Sequence, residues 1–255
     1  MGTRYEGLKD AAVIVTGAAR GLGQVLAEAF AQQEARLALV DVDEAGLAAT
    51  VERLQAPPER LLAICADLRD GAMVESIITQ TAAAFGRLDV LVNNAAVMDG
   101  VSIDAVTPEL FDQVIAVNLR APLFLSRAAL RVMSGQGGGR IVNVASIAGR
   151  TGGAYPTVFC YAASKGGLLA LTRSFAKLGA PDKVLVNAIL PSNIDSPMLW
   201  GPFGRTSVEN VLASVPLART AQPMEVAELV LWLASPASSY VTGVSWDING
   251  GWLMS

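Results

Sequence analysis

The sequence contains no histidine and only two cysteines. Without histidine, the His-based catalytic triads and the H-E-x-x-H metal sites are excluded. Cys65 and Cys160 lie far apart and form no C-x-x-C pair, so neither a zinc site nor a disulfide framework is expected. Two free thiols are typical of a reducing compartment, and we therefore expect a cytoplasmic protein that holds no metal.

Charged residues and long apolar runs are also scarce. Charged residues make up 16% of the chain, and the formal net charge is −4, so a basic surface for nucleic acid is not expected. No run of 18 apolar residues occurs, which predicts no membrane-spanning helix and no membrane partner. Hydrophobic residues are 52% of the 255, enough for a large core and for apolar subunit interfaces.

Short apolar segments alternate with longer segments that carry a helical pattern. The apolar segments are β-branched and lack polar alternation, as in strands buried on both faces of a parallel sheet. Strands are predicted at 11–16, 36–41, 61–65, 88–92, 140–145, 183–190 and 244–248. Helices are predicted at 22–33, 43–54, 70–85, 108–133, 161–178 and 223–234. Repeated βα units predict one doubly wound, Rossmann-type α/β domain over 1–255, with about seven strands and a substrate lid near 192–215.

The first predicted strand runs into the glycine-rich turn TGAARGLG at 16–23. Glycines 17, 21 and 23 lie where the strand passes into a helix. Gly17 and Gly21 would let the backbone turn tightly and approach a pyrophosphate at the positive end of that helix. The spacing is not G-x-G-x-x-G, so a turn that binds nothing is the alternative.

Polar residues follow the next three predicted strands. Asp41 ends the second, where an acidic side chain would bind ribose hydroxyls and repel a 2′-phosphate; a turn or N-cap role is the alternative. Asp67 follows the third strand and NNAA at 93–96 the fourth. Doubly wound sheets bind ligands at the carboxyl ends of their strands, so these residues predict a nucleotide site.

The segment YAASK at 161–165 places Tyr161 and Lys165 four residues apart on a predicted helix, and so on one face of it. A free tyrosine has a pKa near ~10, too high for a general base at neutral pH. A neighbouring positive charge favours tyrosinate, and we expect Lys165 to lower this pKa. Alone, the pair could also be a core aromatic and a solvent-exposed lysine.

Taken in order, these motifs resemble the short-chain dehydrogenase/reductase family, in its shorter-chain, NAD(P)-dependent branch. The resemblance covers nearly the whole chain. It rests on TGAARGLG, Asp67-Leu68, NNAA, Asn118, Ser146, YAASK, PSNIDSPM at 191–198 and TGVSWDINGG at 242–251. It implies hydride transfer between a nicotinamide cofactor and a small secondary alcohol or ketone, in a homotetramer or homodimer.

The resemblance also implies roles for single residues. Tyr161 would be the general acid/base, with its pKa lowered by Lys165 and by the positive nicotinamide of the cofactor, and Ser146 would hydrogen-bond the substrate oxygen. Asn118 would hold a water that relays the proton to Lys165, which also holds the nicotinamide ribose. The implied cofactor-binding residues are Gly17, Arg20, Gly21, Leu22, Gly23, Asp41, Asp67, Leu68, Asn94, Ala95, Ala96, Tyr161, Lys165, Pro191 and Ile194.

The sequence departs from the family pattern near the substrate. Ser146 precedes Tyr161 by fifteen residues, slightly more than is usual, and the additional residues at 150–159 should line the substrate pocket. Ala96 and Ser192 stand where glycine is usual, and Ser196 where threonine is usual. The expected substrate contacts are Ser146, Tyr155, Tyr161, Trp200 and Phe203.

The cofactor prediction weighs two residues against each other. Arg20 is a feature also seen in NADPH-using members of the family, whereas Asp41 would repel the 2′-phosphate. Asp41 decides the prediction for NAD. The alternative enzyme is an NADPH-dependent 3-oxoacyl-carrier-protein reductase. The alternative from another class is a non-catalytic, nucleotide-sensing scaffold, which fold alone does not exclude.

Overall fold

A computed structural model describes residues 3–155 and 157–254, without the side chain of Pro202. Seven strands form its central sheet: β1 (Ala12–Thr16), β2 (Arg36–Asp41), β3 (Leu61–Cys65), β4 (Val90–Asn93), β5 (Gly139–Val144), β6 (Val184–Pro191) and β7 (Ser245–Ile248). All neighbours pair in parallel, in the order β3-β2-β1-β4-β5-β6-β7. This confirms the predicted doubly wound α/β sheet.

Helices cover both faces of the sheet. They are α1 (Gly21–Gln32), α2 (Glu44–Leu54), α3 (Gly71–Phe85), α4 (Pro108–Ile115), α5 (Ala121–Gly135), α6 (Ala148–Thr151), α7 (Phe159–Gly179), α8 (Pro197–Leu212) and α9 (Pro223–Ala234). Alternate residues of one strand enter different cores. Val13 and Val15 of β1 pack with α1 and α9, whereas Ala12 and Ile14 pack with α3 and α5. Burial on both faces explains why the strands lack polar alternation.

The strand order reverses between β1 and β4, which pair with Val13 opposite Val90. The chain therefore leaves these two strands toward opposite sides, and a crevice opens at their carboxyl ends. The glycine turn after β1 and the NNAA segment after β4 both lie at this crevice.

Three segments differ from the predicted elements. The long helix predicted at 108–133 contains a π-helical turn, Ala116–Arg120, between α4 and α5. The segment predicted as a lid is largely helical, as α8, with a break at Gly204 (φ 71°, ψ 157°). The short helix α6 was not predicted. Over the described residues, no helix is long and apolar enough to span a membrane, and no group of three or more His, Cys, Asp or Glu side chains is arranged to bind a metal.

Candidate active site

A cavity of about 750 Å³ lies along the carboxyl ends of the strands. Its size is within the range of pockets that bind small molecules and cofactors. Most of the residues that the sequence predicted for the site line it: Gly17, Arg20, Gly21, Leu22, Gly23, Asp41, Asp67, Leu68, Asn94, Ala95, Ala96, Ser146, Tyr155, Tyr161, Lys165, Pro191, Ile194 and Phe203. Two predicted residues, Asn118 and Trp200, are not among its described lining.

The glycine-rich turn packs tightly beneath the start of α1. A Cβ atom on Gly23 would lie 1.8 Å from the carbonyl oxygen of Gly17 and 2.7 Å from Nδ2 of Asn94, so no larger residue fits at position 23 without moving the turn. The N-cap residue Arg20 makes no side-chain capping bond, and the first turn of α1 carries no acidic residue. The positive end of this helix therefore faces the cavity without an anion of its own.

Asp41 holds this turn from the second strand. Its Oδ2 accepts a hydrogen bond from the backbone N–H of Ala19 (2.9 Å), and its Oδ1 accepts one from Asp43 (3.0 Å). The N-cap of α2 is Asp43, whose carboxylate accepts from the N–H of Gly46. Asp41 is thus a turn residue with a half-buried carboxylate at the cavity wall, and each oxygen keeps a further lone pair for a ligand.

Asp67 and Asn94 complete this end of the cavity. Asp67 forms an ion pair with Arg69 (2.6 Å), and the hydrogen bond from that guanidinium is the main cause of the lowered pKa of Asp67. Asn94 donates from Nδ2 to the carbonyl of Thr16 (2.8 Å), while the backbone N–H of Asn94 donates to the Thr16 hydroxyl (3.0 Å). These bonds fasten the end of β4 to the end of β1.

Tyr161, Ser146 and Lys165 meet where β5 and α7 face the cavity. Tyr161 is in the first turn of α7, and it lines the cavity together with Ser146, which lies in the loop after β5. Lys165 is 2% exposed, and its Nζ lies 5.5 Å from the centre of the Tyr161 ring. The same amine donates a 2.7 Å hydrogen bond to the carbonyl of Val144. The arrangement brings together a proton-transfer group, a hydroxyl and an amine.

Burial is the main cause of the pKa shifts of Tyr161 and Lys165. Burial raises the pKa of Tyr161, and the hydrogen bond with Ser146 opposes that rise without cancelling it. Burial also lowers the pKa of Lys165 to about 7, so at neutral pH the lysine carries only part of a positive charge. Lys165 is not among the causes of the shift at Tyr161, so the lowering of the Tyr161 pKa by Lys165 together with a bound nicotinamide stays a prediction.

Asn118 lies beneath the cavity, fully buried in the π-helical turn. Its Oδ1 accepts from the backbone N–H of Val97 (2.9 Å), and its Nδ2 donates to the Val97 carbonyl (2.8 Å) and to the Ser164 hydroxyl (3.1 Å). The side chain thus joins the loop after β4 to α7. Among the described residues this side chain makes no hydrogen bond to Lys165, so a water relay through it stays a prediction.

The predicted substrate contacts separate into two groups. Tyr155 in the loop after α6 stacks on Phe203 of α8, with ring centres 3.8 Å apart and planes 9° apart, and both line the cavity. Pro156, in the same predicted loop, lies outside the described residues. Trp200 instead donates from Nε1 to Asp195 (2.6 Å), and the Arg205 guanidinium lies 5.7 Å from its ring. That pairing turns Trp200 away from the predicted pocket.

Two residues at the site were missed by the sequence reasoning. Asp99, in the loop after β4, accepts hydrogen bonds from the backbone N–H groups of Cys160 (2.9 Å) and Tyr161 (3.1 Å). It caps α7, whose N-cap residue Val158 makes no side-chain bond. Asn193 follows β6, is 5% exposed and lines the cavity. No local pattern marks Asp99, since it acts on a segment distant in sequence, whereas Asn193 lies within PSNIDSPM, a motif in which only Pro191 and Ile194 were predicted to line the site.

The residues present fit a dinucleotide. The open, positive end of α1 suits a pyrophosphate, and the carboxylate of Asp41 suits ribose hydroxyls. The buried amine of Lys165 and the phenol of Tyr161 lie at the other part of the same cavity, where a nicotinamide would meet its substrate. A cavity of this kind, at the switch point of a doubly wound sheet, is where such folds bind nucleotides.

Comparisons with known proteins agree with this class of site. A family model described as enoyl-(acyl carrier protein) reductase matches residues 17–253. Galactitol 2-dehydrogenase of Agrobacterium fabrum is 34% identical and aligns over 97% of this chain and 99% of its own. A 3-oxoacyl-[acyl-carrier-protein] reductase of Thermotoga maritima is 34% identical and aligns over 96% of this chain and 98% of its own. A solved short-chain type dehydrogenase/reductase from Mycobacterium marinum superposes with a TM-score of 0.90 at 28% identity, over 97% of both chains.

The chain belongs to the short-chain dehydrogenase/reductase family. It is therefore an oxidoreductase of a family that uses NAD(H) or NADP(H).

Proposed function

We propose that the protein is an NAD-dependent dehydrogenase that interconverts a small secondary alcohol and its ketone, with Tyr161 as the general acid/base. One observation carries the proposal: Tyr161 and Ser146 line one cavity with the buried amine of Lys165, which lies 5.5 Å from the Tyr161 ring centre, and the same cavity contains the glycine turn. A non-catalytic scaffold has no use for a desolvated tyrosine and lysine at that position.

The roles follow from the chemistry of the groups. NAD, when bound, supplies the hydride acceptor or donor. In ketone reduction Tyr161 gives its phenolic proton to the substrate oxygen, and in alcohol oxidation its phenolate takes that proton up. The Ser146 hydroxyl hydrogen-bonds the same oxygen and stabilises charge that develops on it. Lys165, when charged, stabilises the phenolate.

The raised pKa of Tyr161 bears on the direction of proton transfer. A phenol whose pKa lies above its ordinary value is protonated at neutral pH, which is the state required to reduce a ketone. Oxidation requires positive charge nearby to bring the pKa down. The charged form of Lys165 can supply part of it, because its own pKa is about 7.

A second candidate, an NADPH-dependent 3-oxoacyl-carrier-protein reductase, is favoured by one feature of the cavity. Arg20 is exposed at its nucleotide end and forms no ion pair among the described residues, so its guanidinium is available to a phosphate. The Thermotoga relative is named a 3-oxoacyl-[acyl-carrier-protein] reductase. Asp41 at the same end opposes it, because its carboxylate would repel the 2′-phosphate.

The test is the steady-state rate of a panel of secondary alcohols with NAD, in the wild type and in Tyr161→Phe. The variant should lose about 10³-fold or more in kcat while it still binds NAD. Tyr240→Phe is the matched control, since that side chain is fully exposed and does not line the cavity. Near-normal turnover by Tyr161→Phe refutes the assignment. No turnover by the wild type with any alcohol or with a 3-oxoacyl thioester favours the scaffold.

A further inference from the structure

Ser164 lies between the proposed catalytic residues Tyr161 and Lys165, and its hydroxyl makes two hydrogen bonds. The Ser164 Oγ donates to the backbone carbonyl of Tyr161 at 2.7 Å and accepts from Nδ2 of Asn118 at 3.1 Å. The side chain is fully buried and is not in the described lining of the cavity. Ser164 therefore acts on the site only through its neighbours.

The direction of each bond in this chain is fixed by Asn118. Its Oδ1 accepts from the backbone N–H of Val97, and its Nδ2 donates to the carbonyl of the same residue. That pairing orients the amide, so the second N–H of Nδ2 points to Ser164. The Ser164 hydroxyl is then the acceptor toward Asn118, and its own proton goes to the Tyr161 carbonyl. A hydroxyl fills both roles, whereas an alanine side chain fills neither.

These bonds tie the first turn of α7 to a wall of the cavity. Val97 belongs to the loop after β4 and lines the cavity with Ala95 and Ala96 of the same loop. Asn118 and Ser164 connect that loop to the carbonyl of Tyr161, and both side chains are fully buried. Because they are shielded from solvent, water does not replace a bond that is lost.

The same loop holds Tyr161 from its other side. Asp99, which follows Val97 by two residues, accepts a 3.1 Å hydrogen bond from the Tyr161 N–H. The N–H and the carbonyl of Tyr161 are therefore both bonded to groups that one loop fixes. A hydroxyl that donates to the carbonyl three residues earlier also competes with the bonds of the helix itself and bends the helix slightly. The position of the phenol in the cavity thus depends on Ser164.

We propose that Ser164 is a positioning residue, which fixes the backbone of Tyr161 relative to the loop after β4 through Asn118. This inference rests on the proposed function, since the position of Tyr161 matters for activity only if Tyr161 transfers the proton. Loss of the hydroxyl should displace the phenol without removing it, and a misplacement of about 1 Å can lower a rate by about 10²-fold. NAD binding should not change, because neither Ser164 nor Asn118 is in the described lining of the cavity.

Thr172 provides a matched control about two turns further along α7. Its hydroxyl is also fully buried, donates to the carbonyl of Leu168 at 2.8 Å and accepts from Nδ2 of Asn143 at 2.9 Å. Ser164→Ala and Thr172→Val each remove one hydroxyl with this pattern of bonds, so both should lower the melting temperature by about 2–8 °C. A purely structural role of Ser164 predicts the same activity for the two variants.

The first measurement is kcat and the KM for NAD, with whichever of butan-2-ol, cyclohexanol and galactitol the wild type oxidises fastest. Ser164→Ala should lower kcat by about tenfold or more and leave the KM for NAD within about twofold. Thr172→Val should leave both within about twofold. Hydrogen–deuterium exchange is the second measurement and needs no substrate. In Ser164→Ala the segment 159–165 should exchange at least about tenfold faster than in the wild type, and in Thr172→Val it should exchange at the wild-type rate.

Three results overturn the inference: an unchanged kcat in Ser164→Ala, an equal loss of kcat in Thr172→Val, or unchanged exchange of 159–165 in Ser164→Ala. If Tyr161→Phe keeps its activity, or if the wild type oxidises no alcohol, the proposed function fails instead. The exchange measurement then decides this inference separately, because it reports without any turnover whether Ser164 fixes the first turn of α7.

Discussion

The carboxylate of Asp99 accepts hydrogen bonds from two consecutive backbone N–H groups, those of Cys160 and Tyr161, at 2.9 and 3.1 Å. It therefore caps α7 from a loop about sixty positions away. The negative charge lies at the positive end of the helix that carries the proposed catalytic tyrosine, which stabilises that end. Asp99 is a positioning residue, since it acts on Tyr161 only through the backbone.

Asp99→Asn should lower the free energy of unfolding by about 1–2 kcal/mol, because an amide offers one acceptor oxygen where the carboxylate offers two. It should also lower kcat by about tenfold with little change in the KM for NAD, since a displaced Tyr161 impairs proton transfer and not nucleotide binding. Urea denaturation and initial rates measure both. Asp104→Asn, at a nearby exposed position, is the control. A loss of stability with unchanged kcat would limit Asp99 to a structural role.

Asp41 should set the preference between the two dinucleotides. We expect kcat/KM to favour NAD over NADP by at least about tenfold, equivalent to about 1.4 kcal/mol. Asp41→Ser should narrow or invert the ratio, and Asp41→Asn should narrow it while keeping an oxygen for the N–H of Ala19. Asp43→Asn removes a neighbouring charge outside the cavity lining and should leave the ratio unchanged. If the wild type prefers NADP, the favoured function becomes that of an NADPH-dependent 3-oxoacyl-carrier-protein reductase.

Gly23 should be indispensable for the turn. Gly23→Ala places a methyl group against the Gly17 carbonyl and the Asn94 amide, so the turn must shift. We expect the variant to lose most of the rise in melting temperature that NAD produces in the wild type. Gly71→Ala is the matched control, because Gly71 likewise lies in the first turn of a helix and a Cβ atom there meets no atom within 4 Å. A normal NAD-induced rise in Gly23→Ala would show that the turn does not bind the cofactor.

Lys165 should make stability depend on pH in a predictable direction. Burial lowers its pKa from 10.5 to about 7, so between these values the unfolded chain binds more protons than the folded one. The free energy of unfolding then rises with pH from about 7 toward 10, whereas below about 7 the full cost of a buried charge remains.

Lys165→Met removes this dependence. The free energy of unfolding of the variant minus that of the wild type should be larger at about pH 6 than at about pH 9.5, by on the order of 1–4 kcal/mol. Urea denaturation at both values measures the difference, with the exposed Lys177→Met as control. Parallel stability curves for Lys165→Met and the wild type would contradict the lowered pKa.

The protein should form a homotetramer or homodimer. Leu178 of α7 is 62% exposed and Phe111 of α4 is 43% exposed, which leaves apolar surface on two helices that the family resemblance pairs across a two-fold axis. The ending 246–255 is also predicted to pack at an interface; Ser255 lies outside the described residues. Light scattering at micromolar concentration should show a multimer. Leu178→Asp should shift it toward smaller species, and Ala49→Asp on α2 should not. A wild-type monomer would contradict the prediction.

The sequence alone determined the strands, the order of the βα units and most of the cavity lining. Strands buried on both faces must be continuously apolar, and repeated crossovers of one hand lead to one sheet topology. Local motifs predicted the turn at Gly17–Gly23 and the pair Tyr161 and Lys165. The pair was predictable because side chains four residues apart lie on one face of a helix. The sequence did not predict the helical lid or the π-helical turn at Asn118, because neither has a distinct hydrophobic period of its own.

Only the tertiary structure decided how these groups act on each other. Desolvation depends on everything packed around a group, and for that reason the pKa of Tyr161 is raised although Lys165 is beside it. Asp99 became visible as a site residue only once distant segments met. The bond from Asn118 to the Ser164 hydroxyl is likewise a property of its surroundings: a sequence states which polar atoms exist, whereas packing determines which of them meet.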